Sequence, residues 1–425
     1  MDKKKEFRLI GQGAYGCTIH PGLNCSTQRI GSLKYVSKLQ IDDATTRSEI
    51  EMGKIIQKIP NYPFFFAPII ENCPVNVSSM NSQQQLEQCK PIADTMKSGK
   101  LAKNTFVSNK IQYVGNKTFG KYFYQLLRRH SSNSVMYVKK ILESHVYLLN
   151  SLQILNTNNL LHLDIKENNV MYDKVNDVFI MIDFGFCIQS KTIELPNYMQ
   201  ATQPFGKVAD SYPPWCIEIH LLSYIARYIR KETYKIDDSL FQQKITSTEE
   251  MKRRSTLFIK KNFIFKTEFF SNNEIQQFET AIHKWIDGFK GKTWKDVWTL
   301  LVSSHKSWDN YGLAVMYLFE LHDSNVSIES EQTSTSTSTT KITTKYVDIL
   351  KKIILAFPEK RSKPEETSQE IKTIFRLVDK KTIQEMTKMK KTTKTTQKPN
   401  LKKIKEQKDR RTLNELEEDE RLRKQ

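Results

Sequence analysis

The sequence predicts an α+β chain with a β-rich first part and a helical second part, and two changes of pattern carry that expectation. In residues 7 to about 118, apolar runs rich in β-branched and aromatic residues are bounded by glycine and asparagine: Phe7 to Ile10, Cys17 to His20, Tyr35 to Ile41 and Asn109 to Val114. From Ser134 the period changes, and Val138, Ile141, Leu142, His145, Leu148, Leu149 and Leu152 recur at helical spacing as one apolar stripe. The two parts fit two lobes, 1–118 and 119–375, followed at 376–425 by a basic, charged tail expected to be disordered.

Within the first part, Arg47 to Ile59 reads as one helix among the strands, and 74–103 as a polar, Ser/Gln-rich insertion. A second low-complexity run, 324–345, contains alternating Thr and Ser from Thr333 to Ser338. Neither run contains enough apolar surface to fold by itself.

The formal net charge of +19 implies long-range attraction to an anionic partner, such as nucleic acid, acidic protein or a membrane surface. Cys17, Cys25, Cys73, Cys89, Cys187 and Cys216 are too scattered for a zinc ribbon or a small disulfide scaffold, and are expected to be reduced thiols. No apolar run approaches membrane-spanning length, and Met1-Asp2-Lys3-Lys4-Lys5 opens no secretion signal. A soluble, intracellular, cytoplasmic protein is expected.

Gly11-Gln12-Gly13-Ala14-Tyr15-Gly16 joins two strand-like segments. Glycine at these positions lets backbone amides approach phosphate oxygens with no Cβ in the way. The dinucleotide-binding reading of G-x-G-x-x-G requires a helix after the loop, whereas a strand follows here. A hairpin lid over phosphates, or simply a tight β-turn, remains. On the next strand, alternation puts Val36 and Lys38 on one face. Glu51, on the helix, is the expected carboxylate partner of Lys38; Glu49 is its rival, since residues two apart on a helix point to different sides.

The densest chemistry lies in His162-Leu163-Asp164-Ile165-Lys166-Glu167-Asn168-Asn169 and in Asp183-Phe184-Gly185. Two apolar runs flank the turn-like Lys174-Val175-Asn176-Asp177, so the intervening segment should form a hairpin. Asn169 and Asp183 are equidistant from Asn176 and so lie at one end of it. An amide oxygen and a carboxylate there make a hard-oxygen site suited to Mg²⁺ on nucleotide phosphates, with Asp164 facing an acceptor hydroxyl.

Taken together, these motifs resemble the eukaryotic-type serine/threonine protein kinase family over residues 7 to about 375. The resemblance implies a bilobed protein-kinase fold, with a β-rich N-lobe and an α-helical C-lobe carrying a large helical insertion. It further implies ATP and Mg²⁺ as cofactors, and transfer of the γ-phosphoryl group to Ser/Thr hydroxyls of protein substrates. By position, Gly11, Gly13 and Gly16 look like the phosphate-covering loop, and Ile10, Thr18 and Val36 like the residues around the adenine. Lys38 and Glu51 resemble the conserved ion pair, Asp164 the catalytic base and Lys166 the lysine that steadies the transferred phosphate. Asn169 and Asp183 resemble the metal ligands.

Further along, Tyr212-Pro213-Pro214-Trp215-Cys216-Ile217-Glu218 is similar to the end of an activation segment, and Arg361 resembles the late arginine that pairs with its closing glutamate. Asp309 looks like the aspartate of the long central helix that holds the catalytic-loop backbone. Three departures stand out. Leu163 replaces the usual arginine before the catalytic aspartate, so activity independent of activation-loop phosphorylation is expected. Val36 is bulkier than the common alanine. The closing motif is Cys-Ile-Glu instead of Ala-Pro-Glu.

The stretch from Glu218 to Asp309 far exceeds an ordinary connecting loop. Phe278, Ile282, Trp285 and Ile286 fall on one helical face and Trp294, Val297, Trp298 and Leu301 on another, so 219–305 should pack as a helical insertion, its tryptophans serving as core. With the Lys/Asn-rich composition, this insertion resembles the divergent kinases of large DNA viruses of eukaryotes, which implies host cytoplasm or virion. Two other readings are a small-molecule kinase of similar fold, and a pseudokinase or nucleic-acid-binding scaffold that uses the basic tail as its anionic-partner site.

Overall fold

The computed structural model describes residues 7–13, 16–25, 27, 30–77, 86–97, 106–194, 198–206, 212–230, 238–326, 338–374 and 376. The chain is α+β and divides into two compact units, one built from 7–118 and 169–187, the other from 119–168 and from 188 onward. Ala14 and Tyr15, parts of both polar runs and the tail beyond Arg376 lie outside the described residues.

In the first unit β1 (Arg8–Gly13), β2 (Gly16–His20), β3 (Tyr35–Ile41), β5 (Ile69–Val75) and β6 (Phe106–Gln112) form an antiparallel sheet in the order β1-β2-β3-β6-β5. Gly11 pairs Thr18, Thr18 pairs Lys38 and Lys38 pairs Asn109, so a single row of residues crosses four strands. Helix α1 (Ala44–Ile56) starts where the Asp43 side chain accepts the Thr46 amide at 2.8 Å. Its buried face is Thr46, Glu49, Ile50, Met52, Gly53 and Ile56. Gly53 allows the close packing there: a Cβ on it would lie 2.3 Å from the Ile69 carbonyl oxygen.

Between β5 and β6 the polar insertion is not devoid of structure, contrary to expectation. Residues 86–97 include helix α2 (Lys90–Lys97), and Leu86, Cys89 and Ile92 join Phe7, Cys17, Ile19 and Leu23 in one apolar cluster. The free-thiol expectation also fails for four cysteines. Cys17 bonds Cys89 and Cys25 bonds Cys73, with Cα atoms 5.9 and 5.6 Å apart. Sheet pairing and the folded insertion bring together residues 72 and 48 positions apart, which sequence spacing gave no means of pairing. Cys187 and Cys216 are buried free thiols.

The expected hairpin is present. Strands β7 (Val170–Asp173) and β8 (Val178–Ile182) pair antiparallel, and β4 (Phe66–Ala67) adds to β8 in parallel. The Asp173 carboxylate closes the turn, accepting from Val175 N at 2.8 Å and Asn176 Nδ2 at 2.6 Å.

The second unit is helical. It contains α3 (Phe119–Leu127), α4 (Val135–Thr157), α5 (Ile217–Arg230), α6 (Glu249–Lys261), α7 (Asn272–Asp287), α8 (Trp294–Val302), α9 (Trp308–Asp323), α10 (Ser338–Leu355) and α11 at 364–374. Every residue of the expected α4 stripe is buried. Helix α9 is buried along almost its whole length, and its polar residues therefore need partners: Tyr137 donates to Glu320 Oε1 at 2.9 Å, and Tyr317 to Ser144 Oγ at 2.8 Å.

The second face expected in the insertion is observed and the first holds in part. Trp294, Val297, Trp298 and Leu301 are buried on α8, and Phe278, Ile282 and Ile286 on α7, but Trp285, expected as core, is half-buried and stacks edge-on to Phe289. Both helices open with a capping box, Ser271/Glu274 and Thr293/Asp296. Trp298 is core, its indole N–H bonded to the Ile193 carbonyl at 3.0 Å. The end of the low-complexity run at 324–345 is also folded, because Ile342 and Thr343 are buried on α10. No helix among the described residues is long and apolar enough to cross a membrane.

Candidate functional site

Both units hold clusters of charged side chains that coincide with the sequence motifs. In the first unit the row Gly11, Thr18, Lys38, Asn109 sets the frame. Lys38 Nζ donates to Glu49 Oε1 at 2.8 Å, Glu49 Oε2 at 3.0 Å and Asp183 Oδ1 at 3.0 Å. Glu49, not Glu51, is therefore the partner of Lys38. Helix α1 begins at Ala44, and its period turns 46, 49, 50 and 53 inward; Glu51 points to solvent and pairs with Lys54 at 2.6 Å.

Asp183 follows β8 with φ of 62°, a left-handed backbone uncommon for a side chain with a Cβ. Asn169 precedes β7, so the hairpin register puts Asn169 and Asp183 at one end, as expected. Val36 is buried, Thr18 half-buried and Ile10 largely exposed. The three glycines differ. A Cβ at Gly13 would meet nothing and one at Gly11 only ordinary contacts, but one at Gly16 would lie 2.1 Å from the Leu39 carbonyl oxygen. Gly16 is thus required by packing on β3, while Gly13 alone of the three leaves open space.

Burial disfavours the Lys38 ammonium, but Asp183 and Glu49 outweigh it and raise the pKa above the ordinary lysine value. Burial, reinforced by Asp183, raises the Glu49 pKa despite Lys38. The Asp183 carboxylate and the Asn169 amide, at the same end of the hairpin, are hard-oxygen groups of the kind that could hold Mg²⁺.

In the second unit the segment from His162 to Lys166 is held from several sides. Asp309 on α9 accepts the amides of His162 at 2.7 Å and Leu163 at 2.8 Å, while Trp215 Nε1 donates to the Leu163 carbonyl at 2.8 Å. Leu163 itself has φ of 60°, a costly backbone for a branched side chain, and these bonds on both its peptide groups keep it there. Lys166 Nζ lies 3.3 Å from Asp164 Oδ1 and donates to the Tyr212 hydroxyl at 3.0 Å; that hydroxyl donates in turn to Asp164 Oδ1. All three side chains are buried.

The Glu218–Arg361 pair is present, bidentate at 2.5 and 2.9 Å, with both groups fully buried. Burial would raise the Glu218 pKa, but the Arg361 guanidinium holds it below the usual carboxylate range.

Sequence reasoning missed Gln40, Asn109 and the role of Tyr212. Gln40 Nε2 donates to Glu49 Oε2 at 3.1 Å, and Asn109 Nδ2 to Gln40 Oε1 at 2.7 Å. Strand alternation from Lys38 to Gln40 was a usable signal. Nothing local marked Asn109, which the β3–β6 register brings opposite Lys38. No protein-family model matches the chain, and no curated protein sequence matches it.

Proposed function

We propose that the chain is a protein serine/threonine kinase that transfers the γ-phosphoryl group of ATP, with Mg²⁺, to Ser or Thr hydroxyls. The observation that carries this reading is the meeting of Lys38, Glu49 and Asp183, residues from strand, helix and post-hairpin turn, in one cluster, with Glu49 buried and Asp183 36% exposed.

In the first unit Lys38 carries the positive charge toward nucleotide phosphates, and Glu49 keeps its ammonium from swinging away. When bound, Mg²⁺ neutralises charge on the phosphate oxygens, with Asn169 and Asp183 as its protein ligands. In the second unit Asp164 accepts the proton of the acceptor hydroxyl, and Lys166 stabilises the negative charge beside it. Asp309, through His162 and Leu163, fixes the backbone that aims Asp164. Lys166, two residues after Asp164, is the basis for Ser/Thr as acceptor, through the family resemblance.

The test is ATP-dependent labelling of a generic protein substrate by the full chain. Asp183→Ala and Lys38→Ala are each expected to abolish it. Labelling that persists in either variant overturns the reading.

A further inference from the structure

We propose that Gln40 and Asn109 are positioning residues that lock Glu49 onto Lys38, a role that rests on the kinase reading of that ion pair. Three buried polar side chains are linked in one row: Asn109 Nδ2 donates to Gln40 Oε1 at 2.7 Å, Gln40 Nε2 donates to Glu49 Oε2 at 3.1 Å, and Glu49 also accepts from Lys38 Nζ. Gln40 is 1% exposed and Asn109 is fully buried, so neither amide exchanges its partner for water at no cost.

The orientation of the two amides is fixed by chemistry. A carboxylate accepts only, so Gln40 must turn its NH₂ to Glu49 and its oxygen to Asn109. Asn109 must then donate, and its own Oδ1 is left with no hydrogen-bond partner among the described residues. An amide present only to satisfy buried polar groups would not leave a buried acceptor orphaned. What the arrangement secures is a donor pointed at one Glu49 oxygen, leaving both oxygens within reach of Lys38. Gly16 makes room for it: a Cβ there would stand 2.8 Å from Gln40 Cγ. Two strands thus hold a carboxylate carried by α1.

The experiment uses the full chain, comparing wild type with Gln40→Met/Asn109→Leu. Replacing both amides by apolar groups of similar shape leaves stability nearly unchanged, so folding and positioning separate. Three quantities are read: the thermal unfolding midpoint, kcat and KM for ATP with a protein substrate, and the rate at which acetic anhydride acylates Lys38 relative to exposed Lys174. The expected result is an unchanged midpoint, kcat lower by about tenfold, as for the loss of one hydrogen bond to a charged group, and faster relative acylation of Lys38.

Unchanged kcat and unchanged Lys38 acylation would overturn the proposal. An inactive wild type whose Lys38 acylation still rises in the double variant would refute the kinase reading while supporting the positioning of Glu49. Should the double variant fail to fold, Gln40→Glu carries the same test. It keeps the acceptor for Asn109 but sets a carboxylate against Glu49, and is expected to lower kcat and raise Lys38 acylation in the same way.

Discussion

The buried ion pairs of the two units are similar in distance and differ in every other respect. Lys38 and Glu49 are 2.8 Å apart but share their site with Asp183, which is 36% exposed. The Glu218 and Arg361 side chains are both at most 1% exposed and their contact is bidentate. Burial raises the pKa of Glu49, whereas Arg361 holds that of Glu218 down. A sealed pair of this kind holds a fold together; a partly open one keeps a side accessible to solvent.

Substituting the cations separates the two roles most sharply. Arg361→Met strands a fully buried carboxylate, and the loss of stability in urea unfolding should be about 3–5 kcal/mol. Lys38→Met should cost less than Arg361→Met, since burial already raises the Glu49 pKa and Asp183 is 36% exposed. Phosphoryl transfer should nonetheless vanish in the Lys38 variant. If Lys38→Met proved as destabilising as Arg361→Met, the distinction between the pairs would collapse.

The two regions also differed in how far the sequence revealed them. Asp164, Lys166, Asn169 and Asp183 lie within one short stretch around a hairpin whose turn residues announce it, so their placement followed from local pattern. Glu218 with Arg361, and Asp309 with the loop before Asp164, were reached through the family resemblance, and their bonds are present. Glu49 could not be separated from Glu51 because the answer depends on where α1 starts, a boundary set by the Asp43 cap. The disulfides and Asn109 depend on strand register across the sheet, which no local period encodes. The polar insertion was misread because apolar residues within it, among them Leu86, Cys89 and Ile92, are buried in one cluster with Phe7, Cys17, Ile19 and Leu23 far away in sequence.

A smaller effect concerns a buried group of the second unit with no carboxylate to balance it. His145 on α4 stacks on Tyr317 at 4.1 Å, its Nδ1 lies 2.6 Å from the Tyr346 hydroxyl, and burial pushes its pKa down to about 3. A pKa depressed on folding means that the unfolded chain binds the proton first. Stability from this group is therefore present above pH about 6.5 and is lost progressively as pH falls toward 3. From pH 7 to pH 5 the loss attributable to His145 should be about 2 kcal/mol, and His145→Leu should flatten the stability–pH curve over that interval by the same amount. An identical slope in both proteins would mean that the ring is solvated.

The finest comparison lies at the two carboxylates of the proposed chemistry. Asp183 receives an ammonium, whereas Asp164 receives the Tyr212 hydroxyl and, at 3.3 Å, the Lys166 ammonium. The tyrosine ring packs edge-on to Trp215 with centroids 5.2 Å apart, and Trp215 in turn holds the Leu163 carbonyl, so one aromatic pair bears on both the aspartate and its strained neighbour. Tyr212→Phe keeps the ring packing and removes only the hydroxyl. Asp164 and Lys166 then lose a shared partner, and kcat should fall by about tenfold while stability changes by about 1 kcal/mol or less. A Tyr212→Phe enzyme with unaltered kcat would confine the residue to packing.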